Sequence, residues 1–286
     1  MFNLVKMNFY RLFHQKSFYI LIAASALTCW FMVYLMWAAP RLEERARANL
    51  SQTEGEITGG FHVGIAVGET EESGTPVLEE FNFTEFLDEF LSSGLQMILI
   101  SVGAAMIANA EQKRGFLKNL AGQMKPRGML AGAKLPVILF ETAVVLGVTV
   151  LGLDLSGRIY FEQYTAGDIG AVLWFFPLEL LLCLAFGALI LMVCTIARNG
   201  AAGIIVGILL SSGLPLFACS YINRFAMAYL GAAQDFDISR YTLEYQLMHL
   251  TSTAGPGDMV RALVVGTVYL LLAVGIGCLV MEKRDI

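Results

Sequence analysis

Two carboxylates, Glu141 and Glu179, stand in long apolar runs where almost every neighbour is hydrocarbon. A charge at bilayer depth costs roughly 2.5–3.5 kcal/mol on insertion scales, so a carboxyl group there must face protein or water. Two chemistries follow for such residues. They can line a translocation path or join helix coupling through protonation, or they can be locally satisfied by a Ser, Thr, Tyr or backbone partner on a packed helix. Pro177, two residues before Glu179, frees a backbone carbonyl and can bend its helix there. The other chemically loaded stretch is basic: Glu111-Gln112-Lys113-Arg114-Gly115-Phe116-Leu117-Lys118-Asn119-Leu120, continuing to Lys125-Pro126-Arg127 and Lys134. Its cations suit acidic lipid or an acidic partner, and its Phe and Leu residues suit a docked helix.

Other chemistries lack their residues. No G-x-x-x-x-G-K-S/T phosphate loop occurs, so ATP binding and hydrolysis are not expected of this chain. His14, His62 and His249 are the only histidines, too few and too scattered for a zinc protease or a triad. No G-x-S-x-G is present. Five cysteines (Cys29, Cys183, Cys194, Cys219, Cys278) all fall in apolar runs, as small packing residues without metal-ligand or disulfide spacing.

The elements that position these groups are membrane helices. The chain of 286 residues is 57% hydrophobic and 15% charged, beyond the roughly 45–50% apolar content of soluble domains. A spanning helix needs about 20 apolar residues at about 1.5 Å each. Six segments qualify: 17–39, 93–110, 135–153, 170–197, 201–222 and 259–281. Their unbroken hydropathy excludes the alternating pattern of a membrane β-barrel, so the expected class is an all-α integral membrane protein. The second segment carries Gln96, Ser101 and Asn109 among many small residues, which suits a helix buried among helices. Gly203 and Gly207 form a G-x-x-x-G pattern in the fifth, for close packing within the chain or between subunits.

Charge sets the orientation. Twelve of the 19 Lys and Arg fall on the side that holds the amino terminus, so both termini are expected in the cytoplasm. Residues 1–16 place Phe2, Val5, Phe9, Leu12 and Phe13 at helical spacing among Lys6, Arg11 and His14, an amphipathic helix that reads as an interfacial helix on membrane lipid or as a solvated tail continuing the first span. The first apolar segment exceeds the core of a cleavable signal and is expected to remain as an anchor. Residues 40–92 form an acidic outer loop: 41–89 hold eleven Glu, one Asp and three Arg. Residues 223–258 form a second, aromatic-rich outer segment. The acidic balance, −5 overall, argues against nucleic acid.

Between the second and third spans, residues 111–134 read as a docking element with a short helix ended by Pro126, or as a plain positive-inside loop. Here the sequence resembles the permease subunits of ABC-2 type ABC transporters, especially the small bacterial group similar to bacitracin and lantibiotic-immunity exporters. The resemblance rests on Glu111, then Gly115-Phe116-Leu117-Lys118-Asn119-Leu120, Pro126-Arg127, Ala131-Gly132 and Lys134, with the amphipathic start and the terminal Glu282-Lys283-Arg284-Asp285. It implies a plasma-membrane exporter subunit in antimicrobial peptide resistance, moving an amphipathic molecule, peptide or lipid. It also implies pairing with a second permease copy or a paralogue. Separate ABC ATPase subunits would hold ATP and Mg and act through Glu111–Leu120, with no cofactor in this chain. The first outer loop is longer than the family plan. Two other classes stay open: an ion-coupled secondary transporter using Glu141 and Glu179, and a sensor or immunity scaffold using the acidic loop as a receptor surface.

Overall fold

A computed structural model describes residues 2–50, 80–112, 132–230 and 237–283. The amphipathic start is helix α1 (Phe2–His14), which breaks at Gln15 before α2 (Lys16–Leu50). Helix α2 runs through Pro40 into the charged stretch, so residues 41–50, expected to begin an outer loop, extend the first apolar helix. A short strand β1 (Glu80–Asn82) leads into α3 (Phe83–Ser92) and α4 (Leu95–Gln112). After the basic stretch come α5 (Leu135–Tyr160), strand β2 (Gln163–Thr165) and α6 (Ile169–Ala197). Then follow α7 (Gly200–Ser211), α8 (Leu214–Leu230), a 3-10 turn at Ile238–Tyr241, the short α9 (Leu243–His249) and α10 (Pro256–Glu282).

Local chemistry explains the boundaries. Asp168 starts α6 by accepting the Gly170 and Ala171 backbone N–H groups at 2.9 and 3.2 Å, satisfying donors that a helix start leaves bare. Arg198, in the left-handed region at φ 56°, ends α6. Asn199 then caps α7 through the Ala201 N–H at 3.0 Å. Pro136 opens α5, where its missing N–H costs nothing. Pro177 sits inside α6 without ending it.

Helix α6 is the centre of the bundle, touching α4, α5, α7, α9 and α10. Its Leu182, Cys183, Ala185 and Ile190 are fully buried. Outward-facing positions are as apolar as the core: Trp174, Leu173, Phe217, Leu271 and Leu279 are all exposed. A soluble fold does not tolerate so much apolar surface, whereas hydrocarbon does. Four helices, over Lys16–Leu42, Leu135–Tyr160, Ile169–Ala197 and Pro256–Glu282, are long and apolar enough to cross a membrane. The count reaches six if each of two bent pairs is one span. Those pairs are Phe83–Ser92 with Leu95–Asn109, bent by 57°, and Gly200–Ser211 with Leu214–Tyr229, bent by 56°. The fold is therefore the expected helical membrane type; the expected span 93–110 is the unbroken α4 with a bend just before it, whereas the expected span 201–222 breaks at Gly213 into α7 and α8.

One small sheet was not foreseen. Strands β1 and β2 pair in parallel, with Phe81 opposite Tyr164. Phe81 stacks on Phe161 with ring centroids 5.0 Å apart, and it lies over Gly157, where a Cβ would come within 2.5 Å. This ties the end of the acidic loop to the turn between α5 and α6.

Candidate functional site

At one end of the bundle, the chain start, the exit of the basic stretch and the chain end meet. Leu4, Asn8 and Leu12, spaced one turn apart, form the buried face of α1. Leu4 packs with Ala133 and Met281, and the Asn8 amide donates to the Ala133 carbonyl at 3.4 Å. Phe9 and Phe13 meet Phe140 of α5 edge-on, each at 5.5 Å. Helix α1 thus leans on the helices that follow the basic stretch and end the chain. Tyr10, Phe13 and Lys6 stay exposed for an interface. Glu111 lies in the last turn of α4. Lys113, Arg114, Gly115, Phe116, Leu117, Lys118, Asn119 and Leu120 lie outside the described residues.

Farther along the bundle, Glu141 is 2% exposed on α5 and fits into a notch on α4. A Cβ placed on Gly103 would lie 1.7 Å from its Oε1 and 3.0 Å from Leu21 of α2. That oxygen has no hydrogen-bond partner among the described residues, and neither has the buried Ser25 hydroxyl of α2. Two turns above Glu141 on α5, the Thr149 hydroxyl donates to the Gln96 carbonyl oxygen of α4 at 3.1 Å. The Gln96 amide nitrogen is again unpartnered. A polar file therefore runs along the junction of α2, α4 and α5. Unsatisfied buried polar atoms of this kind mark water positions or a working site. Glu179, also 2% exposed, accepts the Cys183 thiol at 3.5 Å and leaves Oε2 unpartnered. No hydrogen bond among the described residues joins the two carboxylates. Local satisfaction, one of the two sequence readings, is incomplete at both.

No protein-family model matches this chain, and no curated protein does.

The glycine stripe of α7 is used inside the chain. A Cβ on Gly207 would meet Ser101 Oγ of α4 at 2.0 Å, and one on Gly203 would meet Cys194 Sγ of α6 at 2.2 Å. Close helix approach is what small residues permit.

The opposite end of the bundle holds a feature that the sequence reading missed. Both bent pairs break at the same pentapeptide, Leu-Ser-Ser-Gly-Leu, at 91–95 and again at 210–214. Each glycine is left-handed, Gly94 at φ 76° and Gly213 at φ 72°, a conformation that other residues resist. In each case the preceding serine closes the helix: Ser93 N–H bonds to the Glu89 and Phe90 carbonyls, and Ser212 N–H to the Ile208 carbonyl. The two elbows touch, because a Cβ on Gly94 would stand 2.6 Å from the Ser211 carbonyl oxygen. Helix α7, with 12 residues, reaches this level after about 18 Å of a core about 30 Å thick. The contact therefore lies about 18 Å along α7 from Asn199. Helix α9 lies beside both elbows: a Cβ on Gly94 would stand 3.2 Å from Met248 Cε, while Glu244 reaches the Leu216 backbone at the start of α8. An exact repeat of five residues was the available signal. The first copy falls at the expected start of the second span and the second inside the expected fifth, so the two hold different positions in their expected spans.

Proposed function

We propose that this chain is the permease subunit of an ATP-driven exporter of the ABC-2 type. It crosses the bacterial plasma membrane six times with both termini in the cytoplasm, each bent pair counting as one span. Residues 111–134 receive ATPase subunits, which hold ATP and Mg. The observation that supports this best is the meeting of Leu4, Ala133 and Met281 at one end of the bundle. An even number of crossings must separate these three points. Force applied to the basic stretch would pass at once into α5, α1 and α10. Lys6 and Lys16 at the same end match a cytoplasmic face. A second copy or a paralogue completes the path for an amphipathic, peptide or lipid-like cargo.

Replacing Arg114, Phe116 and Leu117 together by alanine should abolish co-purification with a nucleotide-binding subunit and its stimulated ATP hydrolysis. Retention of both would overturn the docking role.

The unpartnered Glu141 and Glu179 oxygens favour a second reading, an ion-coupled transporter needing no ATPase. Transport by this chain alone in proteoliposomes, lost in Glu141→Gln, would establish that reading and displace the first.

A further inference from the structure

The twin elbows are bridged by α9, and α9 carries a carboxyl group that the bridge leaves unmatched. Glu244 is 5% exposed, and its Oε1 has no hydrogen-bond partner among the described residues. Its neighbours in the helix face, Leu243 and Leu247, are buried with it. A buried carboxylate with one oxygen unpartnered is costly, and the neutral acid much less so. We propose that Glu244 is a binding site for an external proton, and that this proton latches α9 across the two Leu-Ser-Ser-Gly-Leu elbows. Its outward position rests on the topology proposed above; the latch itself requires neither ATP nor a partner.

Other titratable groups face α9 from the elements around it, and Asp88, its carboxyl pushed up by burial and bonded to Ser252, must be separated from Glu244 by the Glu244 variants. Cys219 of α8 and Tyr269 of α10 stand within electrostatic reach of Glu244, and both are weaker acids than a carboxyl. Asp237, from the 3-10 turn, is held below the usual carboxylate range, first by the Ser239 hydroxyl, and pairs with Arg240 at 3.4 Å. It stays ionised throughout. On α3, Asp88 accepts the Ser252 N–H at 3.0 Å and its hydroxyl at 2.8 Å. From α6, Glu179 accepts the Cys183 thiol but leaves Oε2 unpartnered, so Glu179→Gln, which should keep the wild-type profile, is a second control. At the start of α10, Asp258 and Arg261 pair with each other at 2.9 Å. His249, on α9 itself, stacks on Tyr245 with centroids 4.1 Å apart and is the control to exclude.

Burial pushes the Glu244 carboxyl up to about 7, against the opposing pull of the Leu216 backbone. The ordinary value is 4.5. A group raised in the closed form stabilises closure fully below its ordinary value and loses that contribution as pH rises to the closed-form value. Opening should therefore increase from about pH 4.5 to about pH 7 and then level off. The ideal slope is about tenfold per unit.

The test is hydrogen exchange of residues 237–252 in the full chain in nanodiscs, divided by the rate of unstructured peptide at each pH. Wild type should lose at least about tenfold protection between about pH 5 and about pH 7 and then level off. Glu244→Gln and Glu244→Met should both stay protected throughout, and His249→Gln should keep the wild-type profile. A flat wild-type profile, a slope that survives both Glu244 variants, or a slope abolished by His249→Gln would overturn the proposal. In sealed vesicles of known insertion, acid on the side away from the termini should close the latch. Closure only from the termini's side would overturn an external proton.

Discussion

Glu141 fills a place that only a glycine opposite can leave open. Its carbon chain packs between α2 and α4, and its Oε1 lies where a Gly103 side chain would be. Replacing it by Met keeps the length and removes a buried oxygen without a partner, which costs about 1–3 kcal/mol. Glu141→Met should accordingly raise the thermal unfolding midpoint in detergent while transport falls. A lowered midpoint would mean that the carboxyl is satisfied after all. That a carboxylate sits in an apolar run was plain from the sequence. Its companion Gly103 was not, because the pairing joins positions 38 residues apart in chain order on separate helices. Glu244 was hidden for a different reason: in a polar outer segment a glutamate looks ordinary until the helix carrying it proves to be buried.

Helices α4 and α7 depend on contacts that hydropathy does not encode. Four of the apolar windows, 17–39, 135–153, 170–197 and 259–281, match single long helices and could be read from composition alone. The elbows could not, since a Ser-Gly pair barely lowers the local hydropathy and only its left-handed glycine turns the chain. Gly207→Ala should destabilise the bundle by about 1–3 kcal/mol through overpacking, because Ser101 Cβ would be 2.4 Å away and cannot swing aside. Gly275→Ala on α10 meets nothing within 4 Å and should be neutral or stabilising by up to about 1 kcal/mol from helix propensity. Chemical unfolding of the two variants side by side checks the contrast. Equal effects would show that the glycine stripe of α7 is not tightly packed. At the elbows, Gly94→Ala should cost more than Gly213→Ala. Both lose the left-handed turn, but only Gly94 faces the Ser211 carbonyl.

Across the whole molecule, the two ends of the bundle are built differently. One end gathers α1, the start of α5 and the end of α10 around the basic stretch. The other places two identical elbows under α9 and Glu244. Between them runs the polar file past Glu141, Thr149 and Gln96. In the proposed account, load enters at the first end, passes through α4 and α5, and opens the second. The most direct measurement is ATP hydrolysis by the nucleotide-binding subunit that co-purifies with the wild-type chain, isolated and added back in equal amount to nanodiscs holding this chain or its Arg114, Phe116 and Leu117 triple-alanine variant. The account predicts hydrolysis stimulated by the wild-type chain and returned to the level of the isolated ATPase by the triple variant. Equal stimulation by both chains would contradict it.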